Sequence, residues 1–361
     1  MTLNVLVDGY NLELLQGTGI KTYAKTLLTA LTELDYISSV LTSRVIEREE
    51  FCITGELINR HKCFRIANLL YKGLRIKTRL QIGESIDIWH ATYPLPITIK
   101  GTAKITTIHD LIPLKLPHLT LDNKSFFRAL IKESLKESKA IIAVSENTKK
   151  DILSLFDYPE ERIFVTYQPI TFKSIGKNDS LILERHGLQK KNYILFVGAI
   201  EPKKNIKKLI EAHQKLKLNL PLVIVGKKAW LWKEELKNID NSSVLLLNYI
   251  TGEDLQHLYS QASCFVFPSF YEGFGLPILE AMNFDCPVIT SNISSMPEVA
   301  GNAALYIDPH DSDDIAAKIN QLLSDQELQV RLIQEGRERI KTFSPENYKN
   351  KIEQIYQSVI L

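Results

Sequence analysis

The chain has 361 residues, 45% of them hydrophobic, and 44 Lys and Arg stand against 42 Asp and Glu for a formal charge of +2. That length holds two packed cores rather than one, and the near balance of charge excludes a general nucleic-acid binder, so any basic function is local. Residues 1–8 run straight into an apolar strand with no basic region or cleavage site, and no apolar run reaches bilayer length; a cytoplasmic chain is expected, neither exported nor membrane-spanning.

In chain order, short β-branched runs alternate with helical stretches, the pattern of parallel sheets with crossover helices. Strands are expected at 3–8, 86–90, 104–108, 140–144 and 162–167, and then at 193–197, 222–225, 244–247, 264–268, 287–290 and 304–307. Between the two sets lies the polar stretch 171–187, with Gly176, Lys177, Asn178, Asp179 and Ser180. The expectation is therefore α/β, two Rossmann-like domains, 1–175 and 176–343, followed by a terminal helix at 344–361. That helix starts with Ser344 as N-cap and Pro345 at its first position, and carries Tyr348, Ile352, Ile355 and Tyr356 on one face. Cys52, Cys63, Cys264 and Cys286 have no CxxC spacing, which argues against structural zinc and a disulfide framework.

Parallel open sheets bind ligands beyond the carboxyl ends of their strands. Gly17 and Gly19 follow the first expected strand, His109 and Asp110 the third, Lys203 and Lys204 the run at 193–197, and Glu272 the run at 264–268. Pro277 suits a first helical turn, so Glu272 falls in the loop before it and Glu280 one turn inside. The amides around Phe274, Gly275 and Leu276 then form a helix N-terminus that favours a diphosphate. Lys203 and Lys204 at a helix start can neutralise the charge that grows on a leaving diphosphate. Taken singly, each has a plainer reading: a dipole partner, a solvated basic face, a hydrogen-bonded histidine at a strand end.

Taken as a set, Gly17-Thr18-Gly19-Ile20, Thr107-Ile-His109-Asp110, Ala143-Val-Ser145, Gly198 to Asn205, Val225-Gly-Lys-Lys228, Tyr271 to Glu280 and Ser291 to Leu305 resemble the family 4 retaining glycosyltransferases of the two-domain GT-B fold. The likeness spans nearly the whole chain, and the family's E-x7-E motif is intact as Glu272 and Glu280. The resemblance implies that 1–175 is the acceptor-side domain, that 176–343 binds the nucleotide sugar and that the helix 344–361 crosses back to the first domain; it also implies that Glu272 contacts the donor sugar, Glu280 the ribose hydroxyls and Lys204 the diphosphate. Lys203 stands where many relatives have arginine, so the charge is kept and the planar fork is not. His109 matches a histidine near the transferred sugar, the loop Gly17-Thr18-Gly19 approaches phosphate or acceptor, and Tyr249 and Ile250 fall where the nucleobase binds through backbone groups.

The activity implied is retaining hexosyl transfer from a nucleotide sugar to a saccharide or lipid-linked saccharide in surface-polysaccharide synthesis. By likeness of Glu201-Pro-Lys-Lys-Asn205 to mannosyltransferases the donor is a GDP-mannose or a GDP- or dTDP-deoxyhexose; UDP-hexose is the alternative. Neither metal nor cofactor is expected: Asp311-Ser-Asp313 contains DxD, but it precedes an amphipathic run and reads as an N-cap. Residues 57–83 hold seven Lys and Arg and no acid before Glu84, which fits either a contact with anionic membrane or a solvated basic helix face. Two rivals remain: an epimerase of the same architecture, disfavoured by the intact carboxylate pair, and a non-catalytic glycan-binding relative, disfavoured by Glu272, Lys204, His109 and Glu280 surviving together.

Overall fold

The structure is a computed structural model that describes residues 2–14, 19–83, 85–171, 181–237, 239–240, 242–250 and 252–360. Gly17 and Thr18, and the polar residues 172–180, lie outside the described set. The chain divides into two compact units, one of residues 1–117, 122–169 and 344–361, the other of residues 118–121 and 170–343.

The first unit contains β1 (Asn4–Asp8), β2 (Ile37–Thr42), β3 (Leu57–Asn59), β4 (Thr78–Leu80), β5 (Ile88–Ala91), β6 (Ile97–Ile99), β7 (Ala103–Ile108), β8 (Ala140–Ala143) and β9 (Ile163–Val165). Seven of them form one parallel sheet in the order β3-β2-β1-β5-β7-β8-β9, and β4 pairs with β6 apart from it. The helix Gly19–Glu33 covers one face, and the helix Pro345–Ile360 packs into the same core, with Tyr348, Ile352, Ile355, Tyr356 and Val359 buried against Val5, Val7, Tyr23, Leu27 and Ile88. Ser344 accepts the amide of Asn347 at 3.1 Å, the expected cap. Inside this core His90 bridges the sheet to that helix, Nδ1 to the Tyr356 hydroxyl at 2.6 Å and Nε2 to Thr107 Oγ1 at 2.8 Å. Full burial drives its pKa down to about 3, so it stays a neutral connector.

Strands β2 and β3 and the β4–β6 pair go beyond the runs legible in sequence. In β2, Ser38 and Ser39 interrupt the apolar pattern, yet both are buried because the chain at 54–56 passes tightly over them. Ser38 Oγ pairs with Thr54 Oγ1 at 3.2 Å, Ser39 Oγ accepts the Glu56 amide at 3.0 Å, and a Cβ on Gly55 would meet Ser39 Oγ at 2.3 Å. The serines are there for room and hydrogen bonding, a pattern that apolar counting misses.

The second unit holds β10 (Ile194–Val197), β11 (Leu222–Val225), β12 (Val244–Leu247), β13 (Cys264–Phe267), β14 (Val288–Ser291) and β15 (Ala304–Ile307), all parallel in the order β12-β11-β10-β13-β14-β15. This is the doubly wound order, with its topological switch between β10 and β13. Its central strands are apolar throughout because helices cover both faces; Phe196, Phe265 and Phe267 are fully buried, and Phe267 stacks with the other two at 6.2 and 5.7 Å.

Beyond β10 and β11 the backbones nearly touch. A Cβ on Gly226 would lie 1.9 Å from the Gly198 carbonyl oxygen, while one on Gly73, in the helix Cys63–Leu74, meets nothing within 4 Å. Gly226→Ala is therefore expected to cost about 2 kcal/mol or more, read as a fall in Tm of several degrees, and Gly73→Ala to stabilise by up to ~1 kcal/mol. Equal Tm values for the two variants would show that the β10 and β11 loops are not held in contact.

Candidate active site

The second unit's site is built at its switch point by two loops. After β10 the chain forms a 3₁₀ turn, Pro202–Lys204, and Asn205 then takes a left-handed conformation, φ 59°, before the helix Ile206–Leu216. Asparagine tolerates that region, and here its side chain is also needed. Buried Asn205 donates from Nδ2 to the carbonyls of Pro268, at 3.0 Å, and Pro309, at 2.7 Å, tying the β10 loop to the end of β13. The Phe270 amide donates back to the Lys203 carbonyl at 2.9 Å.

This tie sets Lys204 beside Glu272. Nζ lies 2.6 Å from Oε1, both side chains are nearly buried, and the ammonium sits 5.0 Å from the Phe267 ring centroid. Lys203 points elsewhere and pairs with Glu201 at 3.3 Å. The Glu272 loop and the end of β13 are laced by hydroxyls from the end of β14 and the residues just after it. Thr290, Ser291, Ser294 and Ser295 donate to the carbonyls of Phe267 (3.0 Å), Ser269 (2.7 Å), Glu272 (2.8 Å) and, from Ser295, both Glu272 (3.0 Å) and Phe274 (2.7 Å). Buried carbonyls in an irregular segment need such donors, so the loop has little freedom.

The loop leads into the helix Leu276–Asn283, whose N-cap Gly275, φ 107°, supplies no side-chain acceptor. Ile278 donates back to Gly275 and Pro277 has no N–H, whereas the Gly275 and Leu276 amides have no partner among the described residues. A helix end of this kind attracts an anion. Phe274 packs its ring against Phe343 at 5.7 Å. Glu280, on the second turn, accepts the Tyr259 hydroxyl at 2.8 Å through Oε2. Burial raises its pKa to about 7 and the Tyr259 bond opposes that rise.

Tyr249 stands exposed and Ile250 half-buried in the loop after β12, the edge strand, two strands from β10. The DxD carboxylates are occupied locally: Asp311 caps the helix Ser312–Ser324 by accepting the Asp313 amide, Asp313 pairs with Lys215 at 2.5 Å, and Asp314 accepts the Asp308 amide. Among the described residues, no three His, Cys, Asp or Glu side chains gather as metal ligands.

In the first unit, His109 follows β7. Its Nε2–H donates to the Thr92 carbonyl at 2.9 Å and its ring meets Tyr23 edge-on at 4.9 Å. Burial lowers its pKa to about 4, with the Thr92 bond opposing. The ring is thus neutral near pH 7 with its lone pair on Nδ1, an acceptor rather than an acid. Thr92 is itself held by Asp8 at the end of β1, which accepts the Thr92 amide through Oδ2 and the Tyr10 amide through Oδ1 at 3.2 Å. Gly19 opens the helix Gly19–Glu33.

Asn205, Ser294, Ser295, Tyr259, Thr92 and Asp8 carry this geometry without being singled out in the sequence. Asn205 had a signal, an αL-tolerant residue between a lysine pair and a helix; the others act through tertiary contacts.

Solved structures with this architecture are glycosyltransferases of the GT-B fold. Anabaena Alr3699/HepE, solved with UDP and glucose, superposes with a TM-score of 0.78 at 14% identity over 99% of this chain and all of that one. WaaG, involved in lipopolysaccharide biosynthesis, gives 0.71 at 16% identity over 97% and 99%. The chain thus has the GT-B fold. Residues 17–172 match Glycosyltransferase Family 4 and residues 180–339 match Glycosyl transferases group 1. O-antigen chain mannosyltransferase B of Escherichia coli is 37% identical over 255 residues, 67% of each chain, and O-antigen chain mannosyltransferase RfbU of Salmonella typhimurium is 30% identical over 310 residues, 82% of this chain and 84% of that one. The chain belongs to glycosyltransferase family 4 and is a glycosyltransferase.

Carboxyl and imidazole NMR titrations test the electrostatics. Glu280 is expected to protonate as pH falls through about 7 and His109 to stay neutral down to about pH 4. A Glu280 midpoint near the ordinary carboxylate value of about 4 would mean that water reaches the carboxylate.

Proposed function

We propose that the protein is a retaining, metal-independent mannosyltransferase that takes GDP-mannose and extends a saccharide or lipid-linked saccharide of a surface polysaccharide. The observation that carries the reading is the Lys204–Glu272 pair, at 2.6 Å, one short loop ahead of an uncapped helix N-terminus. Mannose is favoured because the relatives at 37% and 30% identity are named O-antigen mannosyltransferases.

In this reading, Lys204 and the amides of Gly275 and Leu276 receive the diphosphate and stabilise the charge that grows on it as the glycosidic bond breaks. Glu272 exchanges its contact with Lys204 for the donor sugar, and Glu280 accepts a ribose hydroxyl. Lys203 adds charge beside the diphosphate, and Tyr249 and Ile250 flank the base. Gly17, Thr18 and Gly19 are assigned to the phosphate or the acceptor by the family resemblance alone. His109, held neutral, accepts a substrate hydroxyl through Nδ1. The acceptor hydroxyl then attacks on the face that the diphosphate leaves. Cationic and dipolar groups of the protein do the work that a divalent ion does elsewhere, so no cofactor is needed.

The helix Cys63–Leu74 supports a peripheral contact with anionic membrane. Its inner face buries Phe64, Ala67 and Tyr71, yet its outer face is not simply basic: Leu69 is 61% and Leu74 67% exposed, among Arg65, Lys72 and Arg75. Exposed leucines between cations suit a lipid interface better than water. Among the described residues, no helix is long and apolar enough to cross a membrane.

Calorimetric titration with GDP, UDP and dTDP in the presence of EDTA is expected to show selective GDP binding that weakens roughly tenfold or more in Lys204→Ala and in Glu280→Ala, the scale of a lost hydrogen bond to a charged group. With GDP-mannose and a lipid-linked acceptor, NMR should find the donor's anomeric configuration kept. A folded protein that binds none of the three nucleotides would overturn the reading. For the surface helix, Leu69→Glu should cut co-flotation with phosphatidylglycerol vesicles severalfold and leave GDP affinity unchanged; undiminished flotation would remove the membrane contact.

A further inference from the structure

Glu280 is held by one residue whose own position is overdetermined. Tyr259, in the helix Gly252–Gln261, is fully buried; its ring lies edge-on to Phe265 at 5.4 Å and stacks on Phe284 at 6.2 Å. The turn that carries it is pinned by Tyr193, whose hydroxyl donates to the Leu258 carbonyl at 2.6 Å. From this fixed place the Tyr259 hydroxyl donates to Glu280 Oε2 at 2.8 Å, and Oε1 takes no hydrogen bond among the described residues. With Oε2 held by the phenol, the rotation of the carboxylate is restricted and Oε1 is the oxygen with both lone pairs open to a ligand.

We infer that Tyr259 is a positioning residue of the nucleotide subsite: its phenol fixes Oε2 of Glu280 and thereby aims Oε1 at the ribose diol. The inference rests on the nucleotide-sugar reading of this unit. It makes Tyr259 matter to nucleotides in proportion to their ribose hydroxyls, which a merely structural tyrosine does not do.

The electrostatic surroundings make pH a second readout. Burial and Tyr259 are the two influences on Glu280, and burial is the larger. On the elements packed around it, Cys264 and Cys286 are thiols pushed upward by burial, Arg337 is paired with Asp285 at 2.7 Å, Arg339 donates to the carbonyls of Glu298 and Val299, and Asp254 pairs with Arg185. Among the described residues, no cation holds Glu280 ionised. Since the Tyr259 bond favours the ionised form, removing it shifts the protonation of Glu280 upward.

The experiment measures binding of a nucleoside diphosphate and its 2′,3′-dideoxy counterpart to the full chain, as wild type, Tyr259→Phe, Glu280→Gln and the double variant, from pH 6 to 9. Tyr259→Phe is expected to weaken the ribose nucleotide roughly tenfold near pH 7, to leave the dideoxy nucleotide unchanged, and to move the pH midpoint of binding upward; in the Glu280→Gln background it should add nothing. Equal losses for both nucleotides, or an unmoved midpoint with Tm preserved, would overturn the inference while leaving nucleotide binding intact. If Tyr259→Phe does not fold, Glu280→Gln alone must abolish both the preference for the diol and the pH dependence, and retention of either overturns it. A folded wild type that binds neither nucleotide overturns the nucleotide reading itself, and this inference with it.

Discussion

The second unit depends on satisfying buried carbonyls where its sheet switches direction. At that point the connections from β10 and β13 leave for opposite faces and open a crevice, which is useful for a ligand but strips backbone groups of ladder partners. Asn205 resolves this with two donors on one amide, to Pro268 and Pro309. An alanine there would leave two carbonyls unpaired and give up the left-handed turn that ends the Lys203–Lys204 segment. The lysine can stand beside Glu272 because the asparagine holds the two loops together.

The frame around Glu272 repeats the principle. Four hydroxyls at and just after the end of β14 cover the carbonyls of the end of β13 and the loop after it, and Gly198 and Gly226 approach closely beyond β10 and β11. The resulting nearly buried Lys204–Glu272 pair is poor evidence for stability, since desolvating two charges offsets most of their attraction. In the proposed function the pair is instead a site for an exchange of partners, in which a bound diphosphate would take the cation and leave the carboxylate to the sugar. His109 in the first unit is fixed similarly, through the Thr92 carbonyl, and Thr92 in turn through Asp8.

Much of this was legible in the sequence, for physical reasons. Strands covered on both faces must be continuously apolar, so all six strands of the second sheet announce themselves, and the E-x7-E spacing puts one carboxylate before a helix and one on its second turn. Ser344 and Pro345 mark the start of the last helix by capping chemistry, and Tyr348, Ile352, Ile355 and Tyr356 mark its buried face by spacing. What could not be read has a common cause. Strand β2 is hidden because its serines serve a close chain crossing, and Tyr259, Ser294 and Ser295 are ordinary polar residues until the fold brings them to Glu280 and Glu272. Pattern reveals which face of an element is buried; it does not reveal which hydroxyl meets which carbonyl.

The two glutamates of the motif show how far environment separates equal side chains. Glu272 lies against an ammonium; Glu280 lies against a phenol, with no cation among the described residues acting on it and too far along its helix to gain much from the N-terminal dipole. The first carboxylate therefore has its charge compensated and can trade one charged partner for another. The second is raised to about 7, so a pair of ribose hydroxyls donating to Oε1 would favour the ionised form and couple binding to partial proton release near that pH. On the proposed reading, specificity for a ribose diol would rest on the neutrality of the partner: a lysine in place of Tyr259 would hold Glu280 ionised at all times, leaving it less dependent on the ligand's hydroxyls to complete its coordination.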